Sequence, residues 1–253
     1  MKGCVFSMAC TNLRTYQKQK DYDLKNNKDR DRMYQRFSPE QKAMFHSIKE
    51  NVYTFCESCA GSGKTLVSTA AMLDMLANDD IQKIVYLQKV SGRYLQNGFN
   101  PGTLEEKTKY LWDPFYDAML KLGYSPYDVD SMIEDGLIVL TTDSTLRGVN
   151  FENVGLIVDE AQNCDAESLR MIFTRCNIEC HVVLAGDRNQ KDNKNVPVTK
   201  KGNMPHFIKY GRYMAIPSFG CICKLTRNFR GEFSQWAENF DINADYDSDI
   251  ECE

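Results

Sequence analysis

Short apolar runs alternate along this chain with longer stretches in which apolar residues recur every three or four positions. Five runs have the length and content of buried strands: 51–56, 84–87, 137–140, 154–158 and 181–185. Helical periodicity occupies 66–77, 127–134 and 167–176, and a longer pattern from Thr103 to Leu122 is interrupted by Pro114. This alternation predicts an α/β fold with a mostly parallel sheet covered by helices on both faces.

The first predicted helix has a clear start. Ser38 is a suitable N-cap, Pro39 suits the first helical position, and Gln41 can close a capping box. We therefore predict that an ordered domain begins near Phe37 and covers residues 37–240.

Charged segments flank this predicted domain. Residues 1–36 mix basic and acidic side chains, and residues 241–253 are acidic. We interpret 1–36 as a mobile N-terminal arm and 241–253 as a solvated tail. The basic residues of the arm could instead contact nucleic acid, but the acidic residues among them make this interpretation the weaker one.

A glycine-rich turn of the phosphate-loop type follows the first predicted strand and leads into a helical pattern. It comprises Ala60, Gly61, Ser62, Gly63, Lys64, Thr65 and Leu66. In such a loop, backbone N–H groups face the phosphates of a nucleoside triphosphate. Lys64 is expected to reach the β- and γ-phosphates, and the Thr65 hydroxyl to bind Mg²⁺. The common pattern has glycine at position 58, where this chain has Ser58, which fits if its φ is negative.

Two adjacent carboxylates, Asp159 and Glu160, end the fourth predicted strand. Ligands of open α/β sheets gather at the carboxyl ends of the strands, so we expect this pair to face the phosphate loop. Asp159 is expected to hold Mg²⁺ opposite Thr65, and Glu160 to orient and deprotonate the attacking water. Gln190, in a G-D-x-x-Q turn after the fifth strand, is expected to hydrogen-bond the γ-phosphate or that water.

Composition sets broad limits. The 253 residues are 42% hydrophobic and 26% charged, with a formal net charge of −4, as is ordinary for one α/β domain. No apolar run is long enough to cross a membrane and no secretory signal is recognisable, so we predict no membrane partner and a cytoplasmic location. The ten cysteines form no paired C-x-x-C array and are interpreted as reduced thiols rather than zinc ligands.

In combination, these motifs resemble those of the PhoH-like family of P-loop ATPases, which is related to superfamily 1 helicases. The similarity runs from about Phe37 to Asp192 and more weakly to Phe240. Beyond the loop and the acidic pair it includes 101–107, Tyr110, Asp117, 147–148, 173–175 and 186–192. The resemblance implies a three-layer, RecA-like P-loop NTPase fold and Mg²⁺-dependent hydrolysis of ATP. A stand-alone chain of this kind also resembles bacteriophage forms, which would place it in the host cytoplasm.

The resemblance assigns roles to two further segments. Gln41 corresponds to a glutamine that reads adenine, with the capping box as the equal alternative. Segment 223–230 is similar to a helicase segment whose arginine reaches the γ-phosphate, which makes Arg230 the expected arginine finger and Arg227 the reserve. Either arginine could equally be a solvated charge, and action within one chain or across a subunit boundary stays open. Relatives suggest homo-oligomers such as hexameric rings.

The same resemblance implies single-stranded nucleic acid as a partner, with RNA favoured over DNA. Candidate contacts are the loop 98–103, Arg93, Lys107 and Arg147, with Tyr94 and Phe99 as aromatics that could stack on bases. Where the family usually has an Arg-Pro step after the second strand, this chain has Lys89-Val90, which weakens the expected coupling to the polymer. Too few residues precede the domain for a PIN-type nuclease, so we predict no intrinsic nuclease.

Three functions remain open from the sequence. The leading one is an ATPase that acts on single-stranded RNA or DNA, with helicase activity as a further expectation. A small-molecule kinase built on the same loop would need an acceptor pocket, and the acidic strand with G-D-x-x-Q argues against it. A nucleotide-gated binding module without turnover is the non-catalytic alternative.

Overall fold

The computed structural model describes residue 24 and residues 27–89, 109–146, 148–190 and 204–238. Within them, six strands form one parallel sheet: β1 Tyr53–Ser58, β2 Lys83–Gln88, β3 Ile138–Thr142, β4 Val154–Asp159, β5 His181–Gly186 and β6 Gly220–Leu225. Their order across the sheet is β3-β2-β4-β5-β1-β6. The five predicted strands are confirmed, and each end lies within two residues of its predicted position.

Two α-helices precede β1 and six follow it within the described residues: α1 Lys28–Arg36, α2 Pro39–Glu50, α3 Lys64–Ala77, α4 Asp113–Lys121, α5 Pro126–Glu134, α6 Ala166–Phe173, α7 His206–Met214 and α8 Glu232–Glu238. The predicted start of α2 is confirmed, because the Ser38 hydroxyl accepts from the Gln41 N–H and the Gln41 amide oxygen accepts from the Ser38 N–H. Pro114 lies in the first turn of α4, where proline is tolerated. Residues 103–108 of the predicted longer helix lie outside the described residues.

The sheet has a separate apolar core on each face. On one face α2 to α5 pack against the strands, through side chains that include Met44, Met72, Phe115, Met119 and Val129. On the other face α6 and α7 supply Leu169, Ile172, Phe207 and Ile208. The predicted α/β architecture, a sheet between two layers of helices, is therefore confirmed. Among the described residues, no helix combines the length and apolar character needed to span a bilayer.

The prediction of a mobile arm is wrong for the last nine residues of segment 1–36. Lys28–Arg36 is helix α1, which Asn27 caps by accepting hydrogen bonds from two backbone N–H groups. Arg30 is 6% exposed and reaches α3, where it donates to the Leu73 carbonyl at 3.4 Å and lies 3.7 Å from the Asp74 carboxylate. The mixed charge that suggested a solvated arm thus belongs partly to a helix that packs on the domain through Met33, Tyr34 and the buried Arg30.

Candidate nucleotide site

The phosphate loop connects β1 to α3 at the centre of the sheet. Gly61 and Gly63 both have positive φ, +64° and +81°, a backbone conformation that side chains with a Cβ rarely adopt. A Cβ on Gly61 would lie 2.5 Å from Asn228 Oδ1, and one on Gly63 would lie 2.8 Å from Gln41 Nε2. Ser58 is not among the described residues with positive φ, which is why serine fits there. The α3 N-terminus carries no side-chain cap, so its amides are available to an anion.

The acidic strand faces this loop, as predicted. Asp159 is 1% exposed, and its Oδ2 accepts a hydrogen bond from the Thr65 hydroxyl at 2.5 Å. The same oxygen accepts from the Tyr86 hydroxyl at 3.0 Å, while Oδ1 accepts from the Glu160 N–H at 2.9 Å. A hydroxyl and a carboxylate side by side are the oxygen donors that Mg²⁺ prefers, and Mg²⁺ usually takes only one or two carboxylates beside phosphates and water. The two predicted Mg²⁺ ligands therefore fit the ion.

Tyr86 is part of this site although no sequence motif points to it. It is fully buried within β2, where it pairs with Ile157 of β4. Burial raises the pKa of its hydroxyl well above the usual value, and the charge of Asp159 raises it further. The hydroxyl consequently stays protonated and donates to Asp159, which fixes the orientation of the carboxylate.

Lys64 and Glu160 form an ion pair beside the loop, with Nζ 3.1 Å from Oε1. Burial lowers the pKa of Lys64, but the charges of Asp159 and Glu160 outweigh it, so the net pKa is raised and the ammonium stays charged at neutral pH. Glu160 has φ +51°, one of three positive values among the described non-glycine residues. Strained backbone of this kind persists where the surroundings hold it, often at functional sites.

Gln162 connects the acidic pair to the end of β5. Its Nε2 donates to Glu160 Oε2 at 2.5 Å, and its Oε1 accepts from the Asp187 N–H at 3.1 Å. It approaches β5 closely because position 186 is glycine, where a Cβ would lie 2.9 Å from Gln162 Oε1. The sequence motif contains Gln162, but only the fold reveals that this side chain bridges two strands.

Gln190, predicted to sense the γ-phosphate, is half-buried after β5 and does not line the cleft above the phosphate loop. The residues before it, Asp187, Arg188 and Asn189, line a second cavity instead. In the described structure it is Gln162, not Gln190, that contacts Glu160.

We call the space above the phosphate loop the nucleotide cleft. It has a volume of about 400 Å³ and is lined by residues 61–66, Gln41, Met33, Arg36, Phe37, Pro114, Asp117, Ala118, Lys121, Phe229 and Arg230. Of the predicted nucleotide-binding residues, only Ala60 is not among the lining residues, and it is buried directly before Gly61. The cleft also receives residues of α1 and α4, among which Asp117 is one of the positions that carry the family resemblance.

Gln41 takes part in the capping box and also contacts the phosphate loop. Its capping-box bond is present, and its Nε2 also donates to the Ser62 carbonyl at 2.9 Å. Gln41 also lines the cleft, with one amide N–H and one lone pair beyond these two bonds, and its role in reading adenine stays a prediction.

Arg230 lines the cleft of its own chain. The segment after β6 is tied to the phosphate loop, since the Phe229 N–H donates to the Gly61 carbonyl at 2.9 Å. The buried Asn228 accepts from the Arg230 N–H at 2.8 Å and donates to Ser234 at 2.9 Å. Arg227, the reserve, is exposed and lies over the Phe229 ring at 5.1 Å. Arg230 is therefore the arginine that the fold brings to the loop.

The predicted nucleic-acid contacts lie outside the described residues. They are Arg93, Tyr94, Phe99, Lys107, Arg147 and the loop 98–103. Lys89, which replaces the usual arginine, lies at the end of β2 and contacts Asp143 at 3.3 Å and Asp165 at 3.3 Å. It also donates to Ser168 Oγ at 2.7 Å, so it ties the ends of β2, β3 and β4 together.

Comparison with known proteins gives one family. The model of a family described as PhoH-like protein matches residues 34–209. The PhoH-like protein of Synechocystis sp. is 29% identical over 155 residues, which are 61% of this chain and 47% of that protein. Protein PhoH of Escherichia coli K12 is 32% identical over 147 residues, covering 58% of this chain and 42% of that protein. The PhoH-like protein of Mycobacterium tuberculosis H37Rv is 30% identical over 152 residues, covering 60% and 43%.

The matched region thus spans less than half the length of these relatives. Among solved structures, the DUF1998 helicase MrfA bound to DNA aligns with a TM-score of 0.45 and 13% identity, over 76% of this chain and 27% of that one. A score below 0.5 is too low to support an argument. The family model, in contrast, covers most of this chain together with its phosphate loop and acidic strand, and the chain therefore belongs to the PhoH-like protein family.

Proposed function

We propose that this protein hydrolyses ATP with Mg²⁺ and couples hydrolysis to binding or remodelling single-stranded nucleic acid, with RNA favoured. One observation carries the proposal. The Thr65 hydroxyl lies 2.5 Å from Asp159 directly beside the Lys64–Glu160 pair, at the N-terminus of the helix after the phosphate loop. Metal ligands, phosphate-binding cation and general base thus share one edge of the sheet.

The side chains divide the reaction as follows. The backbone amides of the loop and the Lys64 ammonium bind the phosphates. Thr65 and Asp159 would hold Mg²⁺, which when bound neutralises charge on the β- and γ-phosphates. Arg230, which lines the cleft of the same chain, would stabilise charge on the transferred γ-phosphoryl group.

The negative charge of Glu160 is compensated by the Lys64 ammonium. Phosphates that enter the loop compete for the Lys64 ammonium, which frees Glu160 Oε1 to accept a proton from water. Gln162 keeps its bond to Oε2 and so holds the carboxylate in place during this exchange. The ion pair therefore makes the base available only after the triphosphate has arrived.

ATP turnover by the full chain with Mg²⁺ tests the proposal, alone and with single-stranded RNA, single-stranded DNA or duplex. We expect Mg²⁺-dependent turnover that rises with single-stranded RNA. Lys64→Ala should abolish turnover and weaken ATP binding. The control is Lys121→Ala, which removes another cation that lines the cleft but lies on α4 rather than in the phosphate loop. This control should reduce turnover far less. ATP binding without turnover under every condition would contradict the proposal and favour the nucleotide-gated binding module.

Mixing variants tests whether Arg230 acts within its own chain. Arg230→Ala and Lys64→Ala chains are mixed in equal amounts at high protein concentration. If Arg230 acts in its own chain, neither protein can complete a site and the mixture stays inactive. Recovery of turnover in the mixture would show that the arginine acts across a subunit boundary, as in the ring-shaped assemblies considered from the sequence.

A further inference from the structure

A second cavity, which we call the basic cavity, opens at the carboxyl ends of β1, β5 and β6. It has a volume of about 550 Å³, and its charged lining residues are Glu57, Asp187, Arg188, Arg212 and Lys224. These residues come from β1, the turn after β5, α7 and β6. None of them was a predicted site residue, and none lines the nucleotide cleft.

One carboxylate in this cavity is shared by two arginines. Arg188 Nη2 lies 2.6 Å from Glu57 Oε1, and Arg212 Nη2 lies 3.5 Å from Glu57 Oε2. The Glu57 side chain is 18% exposed, while both arginine side chains are 49% exposed. Each guanidinium has five N–H donors, so one carboxylate leaves most of them available to a ligand.

The balance of charge in the cavity is positive. Lys224 is exposed and makes no ion pair with the described residues. The second acid, Asp187, is 4% exposed and accepts from the Asn189 N–H at 2.9 Å. Because the whole chain has a net charge of −4, this excess of cations is local rather than a property of the surface in general.

The basic cavity shares hydrogen bonds with the hydrolytic site. The Asp187 N–H donates to Gln162, which donates to Glu160, the proposed base. On the other side, Glu57 is the strand residue that leads into the phosphate loop, and the neighbouring Ser58 hydroxyl donates to the Gly186 carbonyl at 3.4 Å. A ligand that displaces Glu57 from Arg188 and Arg212 would therefore affect the strand that leads into the phosphate loop. It would also affect the turn after β5, whose Asp187 is hydrogen-bonded to Gln162.

We infer that the basic cavity binds the phosphodiester backbone of single-stranded nucleic acid, with Arg188, Arg212 and Lys224 contacting phosphates and Glu57 as the anion that the backbone displaces. Arginine binds phosphate oxygens in the same forked geometry in which it binds carboxylates, so the exchange keeps the donors paired. The inference rests on the proposed function for the class of polymer, but it uses none of the residues that the sequence predicted as nucleic-acid contacts.

The test measures binding of a fluorescent twelve-nucleotide RNA, and of DNA with the same sequence, by anisotropy at several salt concentrations without nucleotide. Arg212→Gln/Lys224→Gln should weaken binding by about five-fold for each lost contact at 0.1 M salt, and reduce the salt slope by about 1.4. The control Lys83→Gln/Lys209→Gln removes the same charge from two exposed lysines, one of them also on α7, and should bind as the wild type does.

Glu57→Gln provides a test of opposite sign. Removal of the competing carboxylate should strengthen oligonucleotide binding several-fold, whereas a purely structural role of the Glu57 pairs would weaken it. Thermal unfolding of each variant identifies any that fail to fold. In that case Arg188→Lys is tested in place of the unfolded variant. It keeps the positive charge but loses the forked guanidinium, so its affinity for the oligonucleotide should lie between those of the wild type and Arg212→Gln/Lys224→Gln.

The outcomes separate this inference from the proposed function. The basic cavity is not a nucleic-acid site if the cavity variants bind the oligonucleotide as tightly as the control does, even when the wild type hydrolyses ATP. The same conclusion follows if the wild type binds no oligonucleotide. If the variants bind weakly as expected but the wild type never hydrolyses ATP, the cavity stands and the proposed function fails. Cavity variants that change turnover without changing oligonucleotide affinity would indicate another ligand and overturn the inference.

Discussion

The nucleotide cleft and the basic cavity lie at the same edge of the sheet but hold charge in opposite ways. At the phosphate loop beneath the cleft, Lys64 is 8% and the neighbouring Asp159 is 1% exposed, and each has fixed partners. In the basic cavity, two half-exposed arginines share one carboxylate. A buried charge needs a paired partner at all times, which fixes one geometry, whereas an exposed charge can exchange partners at little cost. The first arrangement suits a reaction, and the second suits a polymer that must bind and move.

The largest effect is expected on ATP turnover, at the carboxylate that we propose as the general base. Glu160→Gln should lower ATP turnover by about 10²–10⁴-fold, because the amide cannot accept the proton, while the loop still binds nucleotide. The control is Glu152→Gln, which alters an exposed acid before β4. Turnover and ATP binding are measured separately. Equal turnover in Glu160→Gln and the control would remove Glu160 from its proposed role.

Substitution in the phosphate loop should show how tightly the cleft is built. Gly61→Ala places a Cβ at positive φ and 2.5 Å from Asn228 Oδ1, and Gly136→Ala places one at similar φ with nothing within 4 Å. Both should lose about 1–2 kcal/mol of unfolding free energy from backbone strain. Gly61→Ala should lose more and also bind ATP less well. Equal losses in urea unfolding would indicate that the segment after β6 yields easily.

Gln162 lies between the two regions, so its loss should affect both. Gln162→Leu leaves the Asp187 N–H without its acceptor, which should cost about 1–3 kcal/mol of stability. It also releases Glu160, so turnover should fall roughly ten-fold through kcat with little change in KM. The matched variant Gln82→Leu alters an exposed glutamine. A fall in stability with unchanged kcat would limit Gln162 to a structural role.

The smallest effect on stability is expected on α1, where one arginine is buried and another is exposed. Arg30 is buried against α3, and Arg32 is exposed beside Asp29. Arg30→Ala should lower the unfolding free energy by about 1 kcal/mol through lost packing and a hydrogen bond. Arg32→Ala should leave it unchanged within the error of urea unfolding. Equal values would mean that α1 contributes little to the stability of the domain.

The sequence was most informative where neighbouring residues share one physical task. Capping by Ser38 needs only Gln41 three residues later, and the phosphate loop needs only its own glycines and the helix after them, so both were predictable. Strand β6 was missed because it lies at the sheet edge with alternate residues half exposed, and Ile222 is 53% exposed. Helix α1 was missed because its composition is mostly polar, and the few residues that pack it on the domain, Arg30, Met33 and Tyr34, form no clear apolar periodicity.

The sequence by itself determined the alternation of strands and helices, the phosphate loop and the acidic pair, because each depends on local periodicity or on contiguous residues. Only the tertiary structure decided that Tyr86 fixes Asp159, that Gln162 bridges β4 and β5, and that Arg230 reaches the loop of its own chain. It also brought Glu57, Arg188 and Arg212 together from positions up to 155 residues apart. Such contacts follow from the order of strands across the sheet, which local sequence patterns do not encode.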